Sequence, residues 1–393
     1  MTSYFSSSFT LGILGGGQLG KMLLQETRKY DIQTQVLDPD PEAPARLGCN
    51  RFEVGSLVDY ETVLNFGRQV DLLTLEIENV NVQALEQLER EGKRVYPSSQ
   101  TLKRIRSKSV QKAFFEQQNI PTSPFRTYPS KVEFLKALGR EEQLPVVWKS
   151  AVGGYDGKGV EVIRNREEGE RVSDGECIAE ELVSFQRELA VMVARSSSGE
   201  IATYPVVEME FHPQANQVEY VLCPARIGAE VAQMAKEVAI RVSRAFEHVG
   251  LLAVEMFWTA DNRILVNEVA PRPHNSGHYS IEAAFTNQFE QHLRAILGLP
   301  LGNTSNKAGG VMVNLVGEEG ASGEVVYENM EKILKLKGVT PHIYGKRLTR
   351  PFRKMGHVTI VNEDLDEARR IAEEVKKTIR VKAAVSKHKS KEQ

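Results

Sequence analysis

Over the first quarter of the chain, short apolar runs alternate with stretches of helical periodicity. Leu11 to Leu14 reads as a strand, Gly15-Gly16-Gly17-Gln18-Leu19-Gly20 follows, and a helical pattern continues through Met22, Leu23 and Leu24. A second strand, Thr34 to Leu37, ends at Asp38, and a third run, Val70 to Leu75, ends in Glu76-Ile77-Glu78-Asn79. Strands alternating with helices predict a parallel, doubly wound sheet. Val95-Tyr96 closes this unit, which places a first boundary near residue 105.

Beyond it the pattern changes. A helix is expected from Ser107 to Gln118, then strand, glycine-rich hairpin loop and strand over Leu144 to Ile163. Val231, Met234, Val238, Val242, Phe246 and Val249 recur at helical spacing, with Gly250 as the stop. Two strands, Leu251 to Thr259 and Arg263 to Ala270, precede a loop and a helix from Ile281 to Leu297. Gly298, Pro300 and Gly302 mark a second boundary; the last part mixes short strands with one helix, Leu365 to Thr378. The organisation is three domains, 1–105, 106–300 and 301–393.

Composition narrows the class. With 41% hydrophobic and 26% charged residues the chain reads as globular, not disordered. Lys+Arg 50 against Asp+Glu 52 leaves a net charge of -2, which disfavours a general electrostatic nucleic-acid binder. Cys49, Cys177 and Cys223 have no metal-ligand spacing and fit a reducing compartment. No signal peptide or membrane span is expected, so a cytoplasmic enzyme or binding protein is the starting point.

Three constellations carry chemistry. Gly15-x-Gly17-x-x-Gly20, with Asp38 at the next strand end, matches the dinucleotide fingerprint, but fits equally a turn holding another phosphate or nothing. If Asp261-Asn262 forms a two-residue hairpin turn, Glu255 faces Glu268. Like charges directly opposite destabilise a sheet, so the pair points to a bound cation, most simply Mg²⁺, against the alternative of an exposed hairpin. Asn267 would join it only if the strand bulges. Thirdly, Lys108 and Lys149 accompany a Gly153 to Gly159 loop able to lie against a ligand. Glu180-Glu181-Leu182-Val183 could read an adenine edge through its backbone. Each lysine alone is more simply a solvated surface charge.

Taken in order, Lys149, the glycine-rich loop, Glu180 to Val183, Glu188, Glu255 and Asn267-Glu268 resemble an ATP-grasp ligase. Within that superfamily the chain resembles the 5-(carboxyamino)imidazole ribonucleotide synthase family of purine biosynthesis. The narrower likeness rests on Gly17-Gln18-Leu19-Gly20, Glu76-Ile77-Glu78-Asn79, Gly153 to Gly159, Asn267 to His278 and Arg353-Lys354-Met355-Gly356-His357-Val358. The resemblance implies an α/β and α+β protein: an ATP-grasp fold with an N-terminal Rossmann-like domain and a small, β-rich C-terminal domain.

It also implies substrates: ATP, bicarbonate and 5-aminoimidazole ribonucleotide, with Mg²⁺ or Mn²⁺ held by Glu255, Glu268 and Asn267. Lys108, Lys149 and the loop residues Gly154, Tyr155, Asp156, Gly157, Lys158, Gly159 and Val160 would take the ATP phosphates. Glu180, Glu181, Leu182 and Val183 would meet adenine, Glu188 the ribose, with His212, Asn267 and Glu268 completing the nucleotide site. Gln18, Leu19, Glu76, Tyr155, Lys158, Asn275, Ser276, Lys346, Arg353 and Lys354 would bind the ribonucleotide. Asp156, Tyr155, Lys346 and Arg272 would be catalytic, Asp156 orienting the amine or accepting its proton. No nucleic-acid or membrane partner is implied, and relatives suggest a homodimer. Departures from the family pattern are Lys108 for arginine, Ile77 for an aromatic, Trp148 before Lys149, and Pro273 for an aliphatic residue. The rival readings are a formate-dependent glycinamide ribonucleotide transformylase and an NAD-dependent oxidoreductase.

Overall fold

The N-terminal alternation builds a five-stranded parallel sheet in the order Arg51–Val54, Gln33–Asp38, Thr10–Leu14, Leu72–Leu75, Arg94–Tyr96. The chain reverses its winding at Thr10–Leu14, so Gly15 and Glu76 leave the carboxyl ends of adjacent strands at the switch point, where ligands of such sheets bind. The computed structural model describes residues 4–140, 143–153, 159–212 and 217–384. Strand Arg51–Val54 escapes the sequence pattern because it lies at the sheet edge, with no fully buried position.

A four-stranded antiparallel sheet follows, ordered Phe125–Tyr128, Cys177–Glu181, Val146–Ser150, Val160–Ile163. Trp148 is buried in its core beside Tyr128 and Phe134. The main sheet is antiparallel, ordered Ile264–Ala270, Gly250–Thr259, Phe185–Arg195, Val207–Phe211, Val218–Cys223, Gly309–Val316, Lys354–Asn362, Val339–Ile343, with Ile201–Thr203 paired to Phe185–Arg195. The sheet therefore runs without a break across the boundary expected near residue 300. Helix Ala229–Phe246 packs its apolar stripe on one face of this sheet. Among the described residues no helix is long and apolar enough to cross a membrane.

Three local expectations are corrected. Helix Ala229–Phe246 ends at left-handed Glu247 (φ 52°), before Gly250, which instead opens the next strand. The helix expected over Ile281 to Leu297 is two, Ser280–Ala283 and Gln288–Leu297, because the Asn287 side chain caps the second. Lastly, the hairpin turn after Thr259 spans three residues: Thr259 accepts from the Asn262 amide, and Thr259 and Arg263 close the loop. Asn262 takes the left-handed conformation (φ 67°) that such a loop demands.

His292, from helix Gln288–Leu297, fastens the two main sheets together. Its Nδ1 accepts from the Leu251 amide at 3.1 Å, which leaves Nε2 to donate to Thr74 Oγ1 at 3.0 Å. Burial pushes this histidine down to about 3, so the tautomer is neutral.

The turn at Asn262 sets the spacing of the hairpin whose strands carry Glu255 and Glu268. Asn262→Gly should cost little beyond the bond that Asn262 accepts from Trp258, whereas the branched side chain in Asn262→Val should cost roughly 1–2 kcal/mol. Urea unfolding of the two variants checks this order.

Candidate active site

Glu255 and Glu268 are direct partners across the hairpin, as expected, but for a different reason. The three-residue turn offsets the pairing by one residue near the tip, and a bulge at Asn267 restores it between Met256 and Glu255. That extra residue lets Asn267 and Glu268 both serve the cleft despite strict alternation elsewhere. Asn267 Oδ1 accepts from Lys149 Nζ at 2.8 Å, and Glu268 Oε2 accepts from Lys108 Nζ at 2.7 Å.

These carboxylates are not equivalent. Burial, reinforced by the charges of Glu268 and Glu188, pushes Glu255 up to about 8. The adjacent Lys108 charge holds Glu268 below the usual carboxylate range, although 44% of its side chain is open to the cleft and water screens the pair. Glu188, on the neighbouring strand, is raised by burial to about 7. His274 Nδ1 stands 3.6 Å from Glu255 Oε1 and 2.9 Å from Ser276 Oγ.

Lys108 opens helix Lys108–Gln117, capped by the Ser107 side chain, and Lys149 lies near the end of strand Val146–Ser150. Lys149 reaches Glu180 Oε2 at 3.0 Å. The Glu180 side chain is buried among Lys149, Lys112 and Ser123, so its carboxylate points away from any adenine edge, leaving only its backbone for that role. Burial opposes its charge, but the two lysines and Ser123 more than offset this and keep it ionised. The Glu181 amide is already spent on Pro124 O; Leu182 and Val183 follow outside the strand. Val160 begins the returning strand, with Gly159 in the turn before it, whereas Gly154, Tyr155, Asp156, Gly157 and Lys158 lie outside the described residues.

At the N-terminal turn the protein occupies its own anion site. Glu76 accepts from the amides of Gly17 (2.9 Å), Leu19 (3.0 Å) and Gly20 (3.0 Å), and Asp38 Oδ2 accepts from the Gly16 amide at 2.6 Å. A dinucleotide pyrophosphate would need the amides that Glu76 holds, and a ribose would need Asp38. The glycines serve this closure: a Cβ at Gly17 would stand 2.5 Å from the Glu76 carboxylate. The NAD reading therefore fails here on geometry. Leu19 is buried and gives its amide to Glu76, while Gln18, next to it, stays half-buried at the helix start.

The remaining residues form a rim joining all three expected domains. Arg272 pairs with Glu78, Nε to Oε1 at 2.9 Å and Nη2 to Oε2 at 3.2 Å. Asn275 and Asn314 exchange reciprocal amide bonds at 2.8 and 2.9 Å, and Ser276 is buried. Lys346 donates to Lys354 O at 2.8 Å and Arg353 to Leu348 O at 2.6 Å, so these basic residues share one corner. His212 sits further out, its ring against Phe352, on a cavity of about 600 Å³ that Asn314 also lines. Sequence reasoning missed Lys112, His274, Asn314 and Lys21, which donates to Ile343 O at 2.8 Å. Two of them left a trace: Lys112 lies one helical turn after Lys108, and His274 lies within the Asn267 to His278 stretch, though without an assigned role.

The described geometry has counterparts in known proteins. Residues 9–106 match the ribonucleotide synthetase preATP-grasp domain, 113–289 the ATP-grasp domain, and 310–371 the phosphoribosylaminoimidazole carboxylase C-terminal domain. The chain is 37% identical over 361 residues to N5-carboxyaminoimidazole ribonucleotide synthase of Bacillus subtilis, covering 91% of this chain and 92% of that protein. It is similar to the crystal structure of N5-carboxyaminoimidazole ribonucleotide synthetase from Thermotoga maritima, with TM-score 0.87 and 43% identity over 96% of this chain and 100% of that one. The Aspergillus clavatus N5-carboxyaminoimidazole synthase, solved with ADP and 5-aminoimidazole ribonucleotide, is similar at TM-score 0.84 and 32% identity, over 94% and 98%.

The raised Glu255 implies a pH dependence for the ligand-free protein. Between the ordinary value of 4.5 and about 8 the folded chain holds a proton that the unfolded chain has released, so stability should fall as pH rises through that window. Glu188 acts in the same direction. Buried His248, His278, His292 and His357, all held below their ordinary value, oppose this trend at the acid end, so the test is a difference: from about pH 5 to about pH 8 the urea midpoint of Glu255→Gln should gain on that of the parent protein as pH rises. An unchanged slope in that variant would contradict the assignment.

Proposed function

We infer the division of labour in this site from one premise: the chain belongs to the N5-carboxyaminoimidazole ribonucleotide synthase family of ATP-grasp ligases. It is an ATP-dependent ligase that joins carbon to nitrogen, carboxylating 5-aminoimidazole ribonucleotide to its N5-carboxyamino product in purine biosynthesis. The carbon source we propose is bicarbonate. Bicarbonate is a poor electrophile, so its oxygen attacks the terminal phosphorus of ATP, giving carboxyphosphate and releasing ADP. The ribonucleotide amine then takes the carboxyl carbon, directly or as released CO₂, and phosphate departs. What the protein supplies is position and charge.

The observation that carries this reading is the facing pair Glu255 and Glu268 beneath Lys108 and Lys149. Their oxygens are the hard donors that Mg²⁺ or Mn²⁺ prefers, and the charge repulsion that raises Glu255 is what a dication would relieve. Among the described residues no cluster of three or more acidic, histidine or cysteine side chains is set to hold an ion alone, so phosphate oxygens would complete the coordination. Bound there, the ion neutralises charge on those oxygens. Asn267, held by Lys149, would be a weaker third contact.

Lys149 and Lys108 take the phosphates. Lys108 exchanges its hold on Glu268 for a phosphate oxygen as the nucleotide enters. Backbone at Glu180 to Val183 reads adenine, Glu188 takes the ribose, and His212 lies at the outer edge of that site. Arg272, fixed by Glu78, and Asn275, fixed by Asn314, face the ribonucleotide with Ser276 and Gln18. Lys346, Arg353 and Lys354 take its phosphate, a role suited to clustered basic groups. Leu19 and Glu76 shape the turn beneath it. From the glycine-rich loop, outside the described residues, Tyr155 and Lys158 would contact the substrates and Asp156 would accept the amine proton. The family resemblance further supports a homodimer working in the cytoplasm.

ADP release should require both 5-aminoimidazole ribonucleotide and bicarbonate in a coupled assay; turnover with glycinamide ribonucleotide and formate would overturn the reading. Glu268→Gln should lower kcat by about 100-fold at saturating Mg²⁺ while the fold survives, the scale of losing one preorganised electrostatic contact.

A further inference from the structure

A lysine that touches none of the expected substrates lies at the base of the site. Lys112 is only 2% exposed, on the same helix face as Lys108. Its Nζ donates to Thr122 Oγ1 at 2.6 Å and Ser123 Oγ at 3.0 Å, and pairs with Glu180 Oε1 at 3.2 Å. Burial lowers it to about 8 against the attraction of Glu180. A buried cation is a costly way to fill space, since an apolar side chain of the same length would lose no hydration there. The charge itself therefore calls for an explanation.

Glu180 supplies one. Its carboxylate is shared: Oε1 lies 3.2 Å from Lys112 and 3.0 Å from Lys149, and Oε2 accepts from Ser123 at 2.7 Å and from Lys149 at 3.0 Å. Lys149 in turn spends a second N–H on Asn267 at 2.8 Å, beside Glu268. Of its three donors, the last is the one available to a phosphate oxygen among the described residues. Glu180 and Lys149 alone would form a neutral pair, and a phosphate would meet almost no net attraction there. With Lys112 the three side chains sum to one positive charge.

We propose that Lys112 is a positioning residue for the nucleotide: by sharing Glu180 it keeps the Lys149 ammonium both anchored and net positive toward the ATP phosphates. This rests on the reading that Lys149 meets those phosphates.

The charge count makes an uncommon demand, that a second substitution repair the first. In the full-length protein, Lys112→Met should weaken ADP binding, measured by titration calorimetry, and raise KM for ATP by about tenfold, the scale of one screened unit charge. KM for the ribonucleotide should stay within about twofold, since that substrate does not meet this cluster. The double variant Lys112→Met with Glu180→Gln again leaves one positive charge, on Lys149. It should recover ADP affinity to within about threefold of the parent protein. A residue serving only the packing would instead give losses that add. Wild-type ADP affinity in Lys112→Met, or a folded double variant weaker than Lys112→Met, overturns the proposal. Should Lys112→Met not fold, as thermal unfolding would tell, the double variant decides alone, because it buries no carboxylate lacking a partner. Failure of the parent protein to bind ADP would instead refute the functional reading beneath it.

Discussion

Two carboxylates directly opposite on an antiparallel hairpin repel each other, and the architecture around this site answers that repulsion. Glu268 is met by Lys108, while Glu255, deeper and beside Glu188, is pushed by burial and by those neighbouring charges toward its protonated form. Behind them Lys149, Glu180 and Lys112 form a second alternation of charge. On the proposed reading, the first row would let a cation and a polyphosphate enter together, each cancelling charge the other leaves. The second row keeps the first from collapsing into neutral pairs.

The same logic, with its sign reversed, governs the N-terminal unit. A helix N-terminus at a topological switch point is an anion site by construction. Here Glu76 fills it with three amide bonds, and burial that would raise its pKa is partly offset by those bonds. The glycine-rich turn is thereby rigid and internally satisfied. A motif that elsewhere recruits a cofactor acts here as scaffolding. The Arg272–Glu78 pair then links that scaffold to the segment that follows strand Ile264–Ala270, and the Lys21 bonds link it to the C-terminal strands. The ribonucleotide site proposed above would thus draw on three stretches of chain that are far apart in sequence.

How legible this was depends on the range of the interaction. The Glu255–Glu268 pairing was anticipated from a two-residue turn that does not exist; a longer turn and a bulge at Asn267 displace the register in opposite senses and restore it. Both depend on backbone conformation at single residues, Asn262 above all, which alternation of apolar positions does not report. The break before Asn287 and the early end at Glu247 are of the same kind: a side-chain cap and a left-handed residue override helical periodicity. Strand Arg51–Val54 was invisible because an edge strand needs no buried face.

Periodicity, glycine spacing and motif order are local properties of a chain, and from them alone the element types, the N-terminal winding and the lysines and carboxylates that meet at the cleft were legible. Only the tertiary structure decided that the C-terminal strands extend the main sheet, that Glu76 and Asp38 close the glycine turn against a dinucleotide, and that Lys112 shares Glu180 with Lys149. Those outcomes turn on which distant groups meet in a poorly hydrated interior. There a charge or an amide must find a partner, and the partner's position in the sequence carries no mark of the meeting.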